Sequence, residues 1–219
     1  MNGENLPTRD GHFSADLLEW GRHNIRSFPW RSSNATIYEF FVSEFLLQRT
    51  TAEAVREVYP TFIERYPSLE SIDRADKREI EEVIEPLGLQ RKRARALKEI
   101  ASVHSSIPEE LDNLLELPQV GRYVANATYE FSYGEGLPLV DANVRRVYTR
   151  LFGDDWPKGN REQLRFAEEL LPDQSTEYNR ALLDFGGTVC KPTPRCENCF
   201  ATEYCSYYSE EPERSSDRT

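Results

Sequence analysis

Lysine is scarce in this chain of 219 residues: only 5 of its 27 basic side chains are Lys, and the other 22 are Arg. Against them stand 38 acidic residues, a net charge of -11. Such a composition cannot build a broad basic surface. Any binding of nucleic acid must therefore rest on particular motifs and not on bulk charge. The acidic excess has two readings, an ordinary acidic protein or a halophilic one. In molar salt the screening length falls to about 3 Å, so crowded carboxylates repel little and still hold water at the surface. Long apolar runs are also missing. None approaches the ~20 residues of a membrane span, so no membrane partner is expected. Met1 to Arg9 shows no basic-then-apolar pattern, and a cytoplasmic location is expected over secretion.

Cysteine is absent from the first 189 residues and then appears four times, at Cys190, Cys196, Cys199 and Cys205. The spacing is C-x5-C-x2-C-x5-C. Without a secretion signal a disulfide framework is disfavoured. Four thiolates so close in sequence can enclose one 4Fe-4S cluster or a zinc ion. A zinc ribbon commonly shows two C-x2-C knuckles, and only Cys196 and Cys199 form one here. The spacing leans toward iron–sulfur.

Between its ends the chain is patterned for helix. Val55, Val58, Tyr59, Phe62, Ile63 and Tyr66 form a stripe of period 3.6. Ile80, Val83, Ile84 and Leu87 form another, as do Leu97, Ile100, Ala101 and His104. Strand-like alternation is rare. Breakers fall at Pro29, Pro67, Pro86 to Gly88, Pro108, Pro118 to Gly121, Gly134 to Pro138 and Pro157 to Gly159. The expected fold is all-α, about ten short helices in two lobes with a cleft between them. Residues 34–137 would form an inner lobe, and 10–33 with 138–208 an outer one. The first dozen residues and 209–219 are polar and expected to be disordered.

The most specific segment is Leu117-Pro118-Gln119-Val120-Gly121-Arg122. A short helix is expected over 109–115 and another over 123–131, which makes a helix–hairpin–helix. Gly121 would permit the tight turn. The second helix would then present free backbone N–H groups able to hold a phosphate without net positive charge. A plain packing corner is the competing reading. Further on, Val140, Val144, Val147 and Leu151 share a helical face, with Asp141 at the helix start. Asp141 is either a simple N-cap or a carboxylate kept ionised by the helix N-terminus for chemistry.

A helix–hairpin–helix, a Gly/Pro-rich loop, the Val-Asp-Ala-Asn helix start and a four-Cys tail, in this order, resemble the helix–hairpin–helix superfamily of base-excision DNA glycosylases, the endonuclease III group. The likeness runs from Phe13 to Tyr208. It takes in Phe28-Pro29-Trp30-Arg31, the helix around Ser43 to Thr51, and Leu87-Gly88-Leu89 as the wedge loop. Two departures stand out. Five residues separate the first two cysteines where the group has six, and Gln119 replaces the usual first hairpin Gly.

The resemblance implies a site. Tyr123 occupies the position that is Lys in the strand-cleaving members. A phenol cannot form a Schiff base, so simple hydrolysis of the N-glycosidic bond is expected, leaving an abasic site. Asp141 would stabilise an oxocarbenium-like sugar. Glu44, with partial burial, would be kept protonated and would serve the leaving base, unless it is a solvated surface Glu. Gln48, Arg49 and Leu89 are candidates to fill the space of a flipped nucleotide, and for Leu89 core packing competes. Arg91-Lys92-Arg93-Ala94-Arg95, led by Arg91, would meet phosphates. Val120, Gly121 and Arg122 would do so at the hairpin, where the family often binds a monovalent cation. The four cysteines would hold a structural 4Fe-4S cluster. The expected partner is double-stranded DNA with a mismatched or damaged base, bound by a monomer. T or U opposite G is the expected substrate, because Tyr123 can lie against a pyrimidine and Arg49 can reach the orphaned guanine. The alternatives are an adenine glycosylase, a bifunctional endonuclease III, a non-catalytic iron–sulfur DNA-binding protein and a zinc-stabilised adaptor. The adenine enzymes ordinarily carry a further C-terminal domain, whereas this sequence stops soon after Cys205.

Overall fold

The computed structural model describes residues 6–210, and every regular element among them is helical. Twelve α-helices occur there, not ten, because the breakers cut the chain into pieces as short as five residues. The chain divides into two compact units. One is Ser27–Glu135, and the other combines the segment up to Arg26 with the segment from Gly136 onward.

In the unit Ser27–Glu135 the central element is α2 (Ile37–Leu47). Its start is fixed by a capping box, in which Glu39 N donates to Thr36 Oγ1 and Thr36 N donates to Glu39 Oε2 at 2.8 Å. The helix is apolar almost all round, which is the pattern of a helix buried on most sides. Phe41, Val42, Phe45 and Leu46 are buried accordingly. α2 runs along α8 (Arg122–Tyr133), whose buried Ala125 and Ala127 let the two backbones approach. Around them lie α3 (Ala52–Arg65), α4 (Leu69–Arg74), α5 (Lys77–Ile84), α6 (Gln90–Val103) and α7 (Leu111–Leu115). The expected stripe Val55, Val58, Tyr59 and Phe62 is the buried face of α3, which continues through Pro60. Side-chain oxygens of Thr51, Ser68 and Asp76 start α3, α4 and α5.

The other unit holds α1 (Leu6–Asn24), α9 (Ala142–Phe152), α10 (Asn160–Glu169), α11 (Ser175–Thr188) and α12 (Ser206–Glu210). Its core joins Phe13, Leu17, Val144, Val147, Tyr148, Tyr178 and Phe185. α1 and α11 meet closely at Gly21, where a Cβ would lie 2.8 Å from Ala181 Cβ. Asp184, fully buried, is held by the backbone N and the guanidinium of Arg26 at 2.8 and 2.9 Å. After α11 the cysteine segment closes through two 3-10 turns, Cys196–Asn198 and Thr202–Tyr204.

The expected disorder at the termini needs correction at its inner edges. Backbone 6–12 is helical, because Phe13 and Leu17 anchor α1 and the helix extends N-terminally from them. Ser209 is helical too, its N–H donating to Cys205 O at 3.1 Å. Residues 1–5 and 211–219 lie outside the described residues. No helix among those described is long and apolar enough to cross a membrane.

Candidate active site

Three loops in the unit Ser27–Glu135 carry most of the expected contact residues. The hairpin joins α7 to α8. It is closed by Val120 N donating to Leu117 O at 3.1 Å. No side chain caps the first turn of α8, so its N–H groups point out past Gly121, the N-cap residue. The conformational need for glycine lies elsewhere than expected. Gly121 has φ −89°, open to any residue, whereas the left-handed residue of the turn is Gln119 at φ 61°. A Cβ on Gly121 would meet nothing within 4 Å, so a side chain there would obstruct only something approaching from outside. Arg122 is exposed. The Val120 side chain is buried in the core, which leaves only its backbone for an outside partner.

The second loop follows α2. Gln48 is half-buried, with its Nε2 donating to Phe45 O at 3.3 Å, and Arg49 is exposed with a left-handed backbone. The third precedes α6. Leu89 is left-handed as well and 49% exposed, which removes the core-packing reading. Arg91 is exposed. Arg93 is not: it is 3% exposed, and its guanidinium donates to Leu46 O at 2.6 Å and to Gln48 O. The basic run is therefore not one phosphate-facing group. Arg93 instead satisfies the open carbonyls at the C-terminus of α2, an end that favours a cation. Burial lowers its pKa below the ordinary Arg value. Its place was legible in principle, since positions 93, 97 and 100 share the apolar stripe of α6. Glu44 is 4% exposed on α2, which removes the solvated-surface reading, and Tyr123 is half-buried against the core of the same unit.

Asp141 belongs to the other unit. It does cap α9: Oδ1 accepts from Val144 N at 2.7 Å. Its second oxygen, Oδ2, accepts from Asn143 Nδ2 at 3.0 Å. Asn143 Oδ1 in turn accepts from Arg146 Nη2 at 2.8 Å. Arg146 also donates to Gly186 O at 2.8 Å and, through Nε, to Cys190 O at 2.9 Å. The approach of α11 to Asn143 depends on Gly186, where a Cβ would lie 3.0 Å from Asn143 Cβ. A chain of hydrogen bonds thus connects the Asp141 carboxylate to the cysteine segment. The i, i+3 pair Asn143 and Arg146 was its only sequence signal.

The four cysteines are partly buried, and none forms a disulfide. Arg150 organises the segment: it donates to Cys190 Sγ at 3.5 Å and to Pro192 O at 2.8 Å, and lies over the Tyr207 ring at 5.0 Å. Ala201 N donates to Cys199 Sγ at 3.4 Å, and Cys205 Sγ donates to Arg150 O at 3.4 Å. Burial, then mutual repulsion, raises the Cys196 thiol. Burial is also the leading cause that pushes Cys199 up to about 11. Deprotonated together, four such sulfurs would be the donor set of a metal cluster. Among the described residues no three His, Cys, Asp or Glu side chains converge as they would on a single metal ion.

The sequence over residues 42–173 matches the family described as HhH-GPD superfamily base excision DNA repair protein. The chain belongs to that superfamily. Among its relatives, a thymine/uracil-DNA glycosylase of Methanothermobacter thermautotrophicus is 34% identical, over 90% of this chain and 93% of that protein. An adenine DNA glycosylase of Mycolicibacterium smegmatis is 37% identical over 84% of this chain, which spans 66% of that protein. A solved thermostable thymine-DNA glycosylase superposes with a TM-score of 0.88 at 33% identity, covering 94% of this chain and all of that one. An endonuclease III in a DNA complex superposes at 0.80 with 22% identity, which shows the shared HhH-GPD fold.

Proposed function

We propose that this chain is a monofunctional DNA glycosylase that releases T or U mispaired with G from double-stranded DNA and leaves an abasic site. The observation that carries the reading is the end-to-end likeness to a thymine/uracil-DNA glycosylase and a thymine-DNA glycosylase, 93% and 92% of whose lengths this chain covers at 34% and 32% identity.

The chemistry assigned to each residue follows from its surroundings. The exposed N–H groups at the start of α8 hold a phosphate, and the bare Gly121 lets that phosphate come close. Arg91 and Arg122, both exposed, add charge to the same backbone. Leu89, apolar and exposed, enters the base stack. Gln48 and Arg49 meet the base left behind, with the planar guanidinium of Arg49 suited to the O6/N7 edge of guanine. A wobble T·G or U·G pair opens at lower cost than a Watson–Crick pair, so the mismatch itself biases which base leaves the helix. Tyr123 lies against the flipped pyrimidine, and Glu44 offers its carboxyl group to the base. Asp141 places negative charge beside the sugar as the glycosidic bond breaks and positive charge grows on the ring. With Tyr123 in place of an amine, water completes the reaction, and the DNA strand stays intact until alkali cleaves it.

Cys190, Cys196, Cys199 and Cys205 hold a 4Fe-4S cluster in this reading, and its contribution is structural. The four cysteines would hold it, with Arg150 and the Ala201 N–H as outer partners of the Cys190 and Cys199 sulfurs. A monovalent cation belongs to the same reading, at the hairpin Leu117 to Gly121. The protein acts as a monomer at the nucleoid. Its acidic surface belongs with high intracellular salt.

The 37% identity with an adenine DNA glycosylase supports a second reading, removal of A opposite G or oxidised G. Single-turnover assays on U·G, T·G, A·G, A·oxidised-G and T·A duplexes separate the two. U·G and T·G should be processed, with little action on T·A. Preferential release of adenine would transfer the assignment to the second reading.

A further inference from the structure

Three non-glycine residues among those described have left-handed backbones: Arg49 at φ 56°, Leu89 at 54° and Gln119 at 61°. Side chains with a Cβ adopt this region at a cost, and where it persists the surroundings hold it there. The three sit on three different loops of one unit, and each loop is fastened to the same place, the first turn of α6. Leu89 is the N-cap residue of α6. Arg93, in its first turn, grips the carbonyls of Leu46 and Gln48 just before Arg49. Gln119 reaches across from the hairpin, and its Nε2 donates to Lys92 O at 2.8 Å.

The third attachment is the unexpected one. Glycine would take the backbone conformation at 119 without strain. Gln119 is exposed, so burial does not explain why a long polar side chain stands there. What glycine cannot supply is the bond to Lys92. That bond joins the hairpin, four positions before Tyr123, to the turn that begins at Leu89.

We propose that Gln119 is a positioning residue that sets the distance between the phosphate-holding N–H groups of α8 and the wedge residue Leu89. The inference rests on the functional reading above. The hairpin grips the DNA backbone while Leu89 must enter the stack of the same duplex. Untethered, the two loops make their contacts independently, and the geometry in which both are made together is populated less often.

The test uses the full chain as wild type, Gln119→Gly and Gln119→Ala. Each is mixed with a T·G duplex carrying 2-aminopurine beside the mismatched T, whose emission rises when the stack opens and needs no bond cleavage. Thermal midpoint and single-turnover release of T are measured alongside. Gln119→Gly should melt at or above the wild-type temperature, since strain is removed, yet open the stack and release T about fivefold more slowly, the order of one lost hydrogen bond. Gln119→Ala, strained and untethered, should lose both stability and opening. A residue that only stabilised the turn would give the opposite result for glycine, with opening at or above wild type, and that result overturns the proposal. A wild type that never opens the T·G stack overturns it as well. A wild type that opens the stack but releases no base refutes the glycosylase reading alone, because the comparison of opening still reports on Gln119.

Discussion

Asp141 is both a helix cap and the proposed catalytic carboxylate, and the two roles come apart under different substitutions. Asn caps as well as Asp does, whereas Ala loses the bond to Val144 N and costs about 1 kcal/mol. Asp141→Asn should therefore melt within about 0.5 kcal/mol of wild type while T release falls by at least ~10²–10³-fold, the scale of losing one preorganised electrostatic contact to the transition state. Duplex binding should survive, because it draws on phosphate contacts and Leu89. Melting curves and single-turnover rates on one preparation check this. A variant with near-wild-type release would reduce Asp141 to its capping role. The carboxylate was legible in the sequence because a helix start with a polar first residue and an apolar face is a local pattern. Its fixing by Asn143 and Arg146 was not, since Gly186 and Cys190 are 40 or more residues away and only the packing of α11 on α9 brings them there. The partners of Arg93 and Gln119 were hidden for the same reason. Each acts through a backbone carbonyl of a distant loop, and a carbonyl leaves no signature in a sequence.

At the scale of elements, the helical stripes marked the buried faces of α3, α5 and α6 directly, because period 3.6 is a property of neighbours. The helix count and the ends were less legible. α4 and α7 are too short to show a period, and α1 extends into polar sequence because its buried Phe13 and Leu17 hold the backbone helical. The cysteine spacing alone suggested a metal-binding element, and the loop geometry of the segment was not legible. It contains no α-helix between α11 and α12, and its backbone is held by Arg150 and by the sulfurs' own N–H donors. Such a segment gains its fold from what the thiolates bind. Purified protein should therefore contain about four irons per chain. Cys199→Ala should lose the iron and unfold at lower temperature. Iron analysis, visible absorption and melting read the outcome together. Zinc in place of iron, at full activity, would contradict the cluster.

For the whole molecule, the balance of charge and motif is the main lesson. An enzyme of net charge -11 has no general attraction to DNA. In the proposed reading its grip would be built from neutral backbone N–H groups at α8 and a few exposed Arg, with Leu89 as a hydrophobic wedge on a left-handed turn. Such an arrangement depends on geometry more than on bulk charge, and it tolerates salt better than a wide basic face, because fewer counterions are released on binding. The same economy extends to the reaction. In the proposed reaction Tyr123 offers no amine, so one bond would break and the strand would stay whole. The most direct measurement of this account is release of T from a T·G duplex by the wild-type protein in single turnover, each time point divided and analysed with and without alkali. Strand breaks should accumulate with time only in the alkali-treated half. Breaks of equal extent in the untreated half, or none in either, would contradict it.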